Sequence, residues 1–141
     1  MRETIFRGKR VDNGEWVYGD LIHYENGEVA ILQKKFSKFG HEAIELSRRI
    51  KVIPETVGQY TGLIDVNGTK IFEWDIVVCK QEIESTHIDY HIESGFVEMK
   101  HGAFGLHRTQ GYYRPFKDWL ENYEYEIIGN IHDNPELLGG Q

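Results

Sequence analysis

The chain has almost none of the staples that small proteins use to hold themselves together. Cys79 is its one cysteine in 141 residues, so no disulfide forms within the chain and no zinc site is built from cysteines. A lone thiol fits a reducing compartment. No apolar run approaches the ~20 residues of a membrane-crossing helix. The opening residues, Met1 to Gly8, are too polar for a secretory signal, so the expected location is the cytoplasm. A positive balance is also missing. The formal net charge is −7, which disfavours non-specific attachment to a phosphate backbone. Basic residues are confined mainly to Arg2, Arg7, Lys9 and Arg10, and to Lys34, Lys35, Lys38, Arg48, Arg49 and Lys51; the remaining chain is strongly acidic. A mixed, solvated surface accounts for such clusters more simply than a binding face.

Signatures of catalysis are missing too. His-Glu-x-x-His, Gly-x-Ser-x-Gly, a phosphate loop and a dinucleotide fingerprint do not occur. No residue is assigned as catalytic, and no cofactor is expected.

What the chain does have is aromatic content: 3 Trp, 8 Tyr and 7 Phe, enough to argue for an ordered core. Its 15 glycines and three prolines punctuate short runs, the pattern of strands joined by turns. Residues 4–10, 15–24 and 29–32 read as strands, separated by Asp12-Asn13-Gly14 and Glu25-Asn26-Gly27, where Asn and Gly favour tight turns. Residues 33–49 are less regular; Phe36 to His41 reads as loop, and 42–49 as loop with a helical turn or another strand as the alternatives. Strands resume at 49–53, after which Pro54-Glu55-Thr56 closes the run. A glycine-punctuated strand or bend at 57–63 precedes a turn at Asp65-Val66-Asn67-Gly68. Asp75 is placed to cap the turn before Ile76-Val77-Val78, with Ile76 and Val78 on one face. Residues 81–94 read as a strand pair or long hairpin. Strands are expected around 95–99, 104–106 and 124–131, and a turn or short helix at 133–138. Trp16, Tyr18, Tyr60 and Phe72 are read as core.

One helix is expected, near residues 115–123. Phe116, Trp119, Leu120 and Tyr123 recur at i, i+3, i+4 and i+7, and Pro115 suits a first turn. The fold class is therefore mostly β, a β-rich α+β protein, with an N-terminal β-meander, a small β-barrel and one short helix. A boundary between Pro54 and Gly62 divides a meander lobe, residues 1–60, from a barrel-like lobe, residues 61–141. The two lobes either pack separately or share one continuous core.

Several strings, taken together, resemble the YopX family of phage and prophage proteins from Gram-positive bacteria. They are Phe6-Arg7-Gly8-Lys9-Arg10 with Glu15-Trp16-Val17-Tyr18-Gly19-Asp20-Leu21; Pro54-Glu55-Thr56-Val57-Gly58-Gln59-Tyr60-Thr61-Gly62-Leu63 with Asp65; Asn67-Gly68-Thr69-Lys70-Ile71-Phe72-Glu73 with Asp75-Ile76-Val77; and Ile127-Ile128-Gly129-Asn130-Ile131 with Asp133-Asn134-Pro135-Glu136-Leu137-Leu138. Their order and spacing run over nearly the whole chain. Members usually carry glycine between Glu73 and Asp75, where this chain has Trp74, and that departure bears on the local turn geometry. The resemblance implies a mostly-β fold with barrel character and a phage-encoded accessory role. It supplies no catalytic residue, because the family is functionally uncharacterised.

Two residue groups remain as candidates for chemistry. His87-Ile88-Asp89-Tyr90-His91 places His87, Asp89 and His91 on one side of a strand, a possible metal trio; a solvent-facing strand side is the simpler account. Arg108, Tyr112, Tyr113 and Arg114 combine cations with aromatics, as single-strand nucleic-acid binders do. Core or staple roles for such aromatics are commoner. Cys79 in an apolar strand reads as a small buried hydrophobe, and Glu73 and Asp75 beside Trp74 as turn residues. The leading functional expectation is a non-catalytic interaction module binding a host or phage protein. A homo-oligomer is a natural way to cover strand edges. A small-barrel nucleic-acid binder is the alternative and an enzyme of unknown type the third.

Overall fold

The structure is a computed structural model. It describes residues 3–33, 47–83, 88–108, 113–116 and 123–138, with the backbone alone for 80–83, 88–93 and 123. The protein is mostly β, organised in two antiparallel sheets. It divides into two compact units, Met1–Tyr60 and Thr61–Gln141.

The first unit is a meander. Strands β1 (Phe6–Lys9), β2 (Trp16–His23), β3 (Val29–Gln33) and β4 (Arg48–Val52) pair in succession, each antiparallel to the last. Side chains set the tight turns. The Asn13 Oδ1 accepts the Glu15 N–H at 2.9 Å, and the Asn26 Oδ1 accepts the Glu28 N–H at 2.9 Å. Each asparagine thereby satisfies backbone that the ladder cannot reach. Val17, Val29, Ile31, Ile50 and Val52 form the core of this unit, with Phe6, Leu21 and Val57 against it. Burying a side chain such as Ile31 contributes about 1.5–3 kcal/mol. The meander curls enough for the end of β1 to meet β4: Arg10 bridges Val52, the Val11 N–H donates to the Lys51 carbonyl at 3.1 Å, and the Ile53 N–H donates to the Lys9 carbonyl at 2.8 Å. Gly8 permits that approach, because a Cβ there would lie 2.9 Å from the Val52 Cβ. The Thr56 hydroxyl, in the 3-10 turn Pro54–Thr56, accepts the Lys9 N–H at 2.9 Å and donates to the Ile53 carbonyl at 2.6 Å.

Alternation along β2 corrects one expectation. Val17 faces the core, so Trp16 and Tyr18 take the other face; Tyr18 is 46% exposed. Tyr60 and Phe72 are buried as expected.

The division between units falls inside β5 (Gly58–Ile64), which pairs with β1 through Gly58 and Gln59. With β6 (Lys70–Phe72) it completes the order β4-β3-β2-β1-β5-β6. The second sheet is built from β7 (Asp75–Ile83), β8 (Ile88–Lys100), β9 (Ala103–Arg108), β10 (Tyr113–Pro115) and β11 (Tyr123–Asn130), in the order β10-β9-β8-β7-β11. The strands β7 and β8 make the long hairpin read from residues 81–94. A two-residue turn at His101 and Gly102, both at positive φ, joins β8 to β9. Ile71, Val77, Val97 and Leu106 form the second core, with Leu63, Phe116, Tyr125 and Ile127 against it. Ile76, Val77 and Cys79 are all nearly inaccessible, so the start of β7 is covered on both faces.

One sequence expectation changes here. Among the described residues there is no closed barrel. The second sheet stays open, ending at β10 and β11, which do not pair with each other. The helix expected near 115–123 falls mostly outside the described residues: Pro115 closes β10, Phe116 lies in a 3-10 turn and Tyr123 opens β11. Phe116 meets Tyr125 edge to face at 5.1 Å, against the second core. Residues 117–122 lie outside the described residues, as do 34–46, where most of the loop was expected. Among the described residues no helix is long and apolar enough to cross a membrane.

Asp65 ties the β5–β6 turn to β11. Its Oδ1 accepts the Asn67 and Thr69 N–H groups, both at 2.9 Å, and its Oδ2 accepts the Ile127 N–H at 3.1 Å. The Val66 N–H donates to the Tyr125 carbonyl at 2.9 Å beside it. The carboxylate is 6% exposed. Burial raises its pKa, but the donors at Thr69, Ile127 and Asn67 together outweigh burial and hold it below the ordinary 3.8.

Replacing Ile31 by alanine is expected to cost about 2–5 kcal/mol, read as a lower denaturation midpoint. For Asp65→Ala the expected loss is roughly 2–5 kcal/mol, since three backbone donors lose a charged acceptor. Because the folded value of Asp65 is depressed, its contribution is complete above pH 3.8 and fades as the pH falls through the folded value. Acid titration of Asp65→Asn should show a shallower loss of stability across that window than the parent; an identical slope would contradict the assignment.

Candidate functional site

Strand alternation in the second unit separates two faces. Val97 of β8 is buried opposite Leu106 of β9, so Phe96 and Glu98 take the other face. His107 lies across from Phe96 in register, and Tyr113 of β10 lies across from His107. The rings of Phe96 and His107 stack at 4.6 Å between centroids with 11° between planes. Trp74, from the turn before β7, meets Phe96 at 6.2 Å and His132 edge-on at 6.4 Å. A row of rings therefore runs His132, Trp74, Phe96, His107, all half-buried. The Glu98 Oε2 stands 3.4 Å from the His107 Nδ1, with the two side chains 16% and 45% exposed. Tyr113 extends the row. Its hydroxyl donates to the Ala103 carbonyl, and its ring lies over Gly105, where a Cβ would come within 2.7 Å of the ring.

The backbone under Trp74 is unusual. Its φ is +75°, a left-handed value that costs a residue with a Cβ about 1–2 kcal/mol. The turn thus keeps a conformation that glycine adopts freely. It is held from several sides: the Trp74 N–H donates to the Val97 carbonyl at 2.8 Å, the Trp74 carbonyl accepts the Ile131 N–H at 2.9 Å, and the Asp75 Oδ2 accepts the Phe72 N–H at 2.8 Å. Asp75 is the turn cap that the sequence indicated.

The first unit carries a smaller arrangement of cations and an aromatic ring. The Arg7 guanidinium lies 4.5 Å from the Trp16 ring centroid and the Lys9 Nζ 5.6 Å from it. Arg7 is buried, which makes this a packing interaction as much as a surface.

The residues singled out from the sequence fall as follows. Arg108 and Arg114 alternate away from His107 and Tyr113, pairing with Gly95 and Leu106. The register thus brings Tyr113 to the aromatic row and sets both arginines on the opposite side; Tyr112 lies outside the described residues. Asp89 and His91 are two positions apart in β8, opposite Glu82 and Lys80. Their side chains, and His87, lie outside what is described. Among the described residues no group of three His, Cys, Asp or Glu is placed to hold a metal. Cys79 is buried. The row itself escaped the sequence reading because its rings come from β8, β9 and two separate turns.

The architecture defines the protein as an open, antiparallel β protein of two units, and comparison places it further. The YopX protein family matches residues 5–139, and the chain belongs to that family. Protein EF1440 from Enterococcus faecalis, known from a crystal structure, is 23% identical with a TM-score of 0.57, over 99% of this chain and 100% of that one. That likeness is one of fold. Comparison with curated proteins finds no match.

Substitutions at Trp74 should invert the usual order of stability. Trp74→Ala keeps the left-handed strain and loses the ring, whereas Trp74→Gly loses the ring and relieves the strain. The glycine variant should exceed the alanine variant by about 1 kcal/mol in urea denaturation. A more stable alanine variant would mean that Trp74 carries no backbone strain.

Proposed function

We propose that the chain is a phage-encoded, non-catalytic accessory protein of the host cytoplasm that acts by binding a host or phage protein through the aromatic row of its second unit. The observation that carries this reading is Trp74, a large ring on a strained backbone, aligned with Phe96 and His107 on a half-exposed sheet face. Tryptophan and other aromatics are enriched where proteins bind each other, because they desolvate large areas at low entropic cost. The charge of the second unit gives the partner a chemistry. Residues 61–141 hold fourteen Asp and Glu against six Lys and Arg, which favours a basic protein surface. A nucleic-acid reading has in its favour the basic residues of the first unit and the pairing of Arg7 and Lys9 with Trp16.

Capture from nuclease-treated lysate of an infected host distinguishes the two. The same protein should be retained by the parent chain and lost by Trp74→Gly and Phe96→Ala variants that melt cooperatively. Recovery of nucleic acid alone from untreated lysate, released by salt, would refute the protein-binding reading.

A further inference from the structure

We infer that the row accepts guanidinium groups, so that the segment it binds is arginine-bearing; this rests on the protein-binding reading above. The first reason is shape. Phe96 and His107 stack almost parallel, 11° apart at 4.6 Å, and Trp74 adds a third ring at 6.2 Å from Phe96. The two stacked rings close their facing sides on each other, so a planar cation lies flat on an outer ring face of the row, attracted by its negative charge. The second reason is charge. The Glu98 carboxylate sits at the His107 end of the row, within a unit whose acidic residues outnumber its basic ones by more than two to one. Anionic ligands are repelled there and cations are drawn in. The third reason separates arginine from lysine. A guanidinium is planar, weakly hydrated and stacks on aromatic faces, while an ammonium is a compact, strongly hydrated point charge. The first unit shows the same chemistry within the chain, with the Arg7 guanidinium nearer the Trp16 ring than the Lys9 ammonium. The last reason is Trp74 itself. Glycine would suit its backbone better, so the indole adds a ring face at a position where the fold alone favours none.

The test uses the full chain and three synthetic peptides in which glycine alternates with arginine, with lysine, or with citrulline, the neutral analogue of arginine. Titration calorimetry should show the arginine peptide binding about three- to tenfold more tightly than the lysine peptide, and no binding of the citrulline peptide. Trp74→Gly should weaken the arginine peptide by about three- to tenfold and erase its advantage over lysine. Glu98→Gln, which keeps the size of the side chain and removes its charge, should weaken both cationic peptides in a variant that melts cooperatively. Equal binding of arginine and lysine peptides by the parent chain would reduce the effect to net charge and overturn the inference. So would unchanged binding in folded Trp74→Gly and Phe96→Leu variants. If no peptide binds while lysate capture still depends on Trp74, the guanidinium inference fails and the protein-binding reading stands. If capture is also indifferent to Trp74, both fail.

Discussion

The organisation of the second unit depends on a turn that holds a tryptophan in a conformation suited to glycine. Trp74 donates its N–H to Val97 of β8 and accepts the Ile131 N–H beyond β11, so one residue joins the centre of the sheet to the chain leaving its edge. Those two bonds, with the Asp75 cap on Phe72, over-determine the turn and let it carry strain of about 1–2 kcal/mol. The consequence reaches the surface. The turn brings the indole onto the face of Phe96 and His107, which the register of β8 and β9 has already aligned. Backbone hydrogen bonding and surface chemistry are thus coupled at one position.

Buried carboxylates play a matching part. Asp65 and Asp75 are almost fully buried, and each accepts backbone N–H groups at a turn. A buried carboxylate is tolerated when such donors replace water. Asp65 also covers part of an exposed edge. The strand β11 ends the second sheet, and its Ile127 N–H and Tyr125 carbonyl are taken up by Asp65 and Val66. The other ends are blunted differently: β10 is three residues long and contains Pro115, β6 is three residues long, and β4 carries exposed Arg48, Arg49 and Lys51. Short strands, proline and charge are the usual defences against edge-to-edge pairing. Edge protection therefore does not by itself require a second copy of the chain.

Much of this was legible in the sequence because it is local. Asn13, Asn26 and Asp65 act within a few residues of themselves, so their turns follow from residue type and position. Alternation announced most strands, and the family strings ran through the same turns. Tyr18 was placed in the core because aromatic residues usually are, whereas the alternation around Val17 assigns it outward.

The sequence by itself determined a mostly-β protein, its tight turns, the cap at Asp75 and membership of the YopX family, all of which rest on residue type and short-range spacing. The tertiary structure alone decided that the second sheet stays open, that Arg108 and Arg114 part from Tyr113, and that Trp74, Phe96, His107 and His132 form one row. The reason is register. A shift of one residue turns every side chain of a strand to the opposite face, and register is a property of the pairing between strands rather than of any one strand's residues.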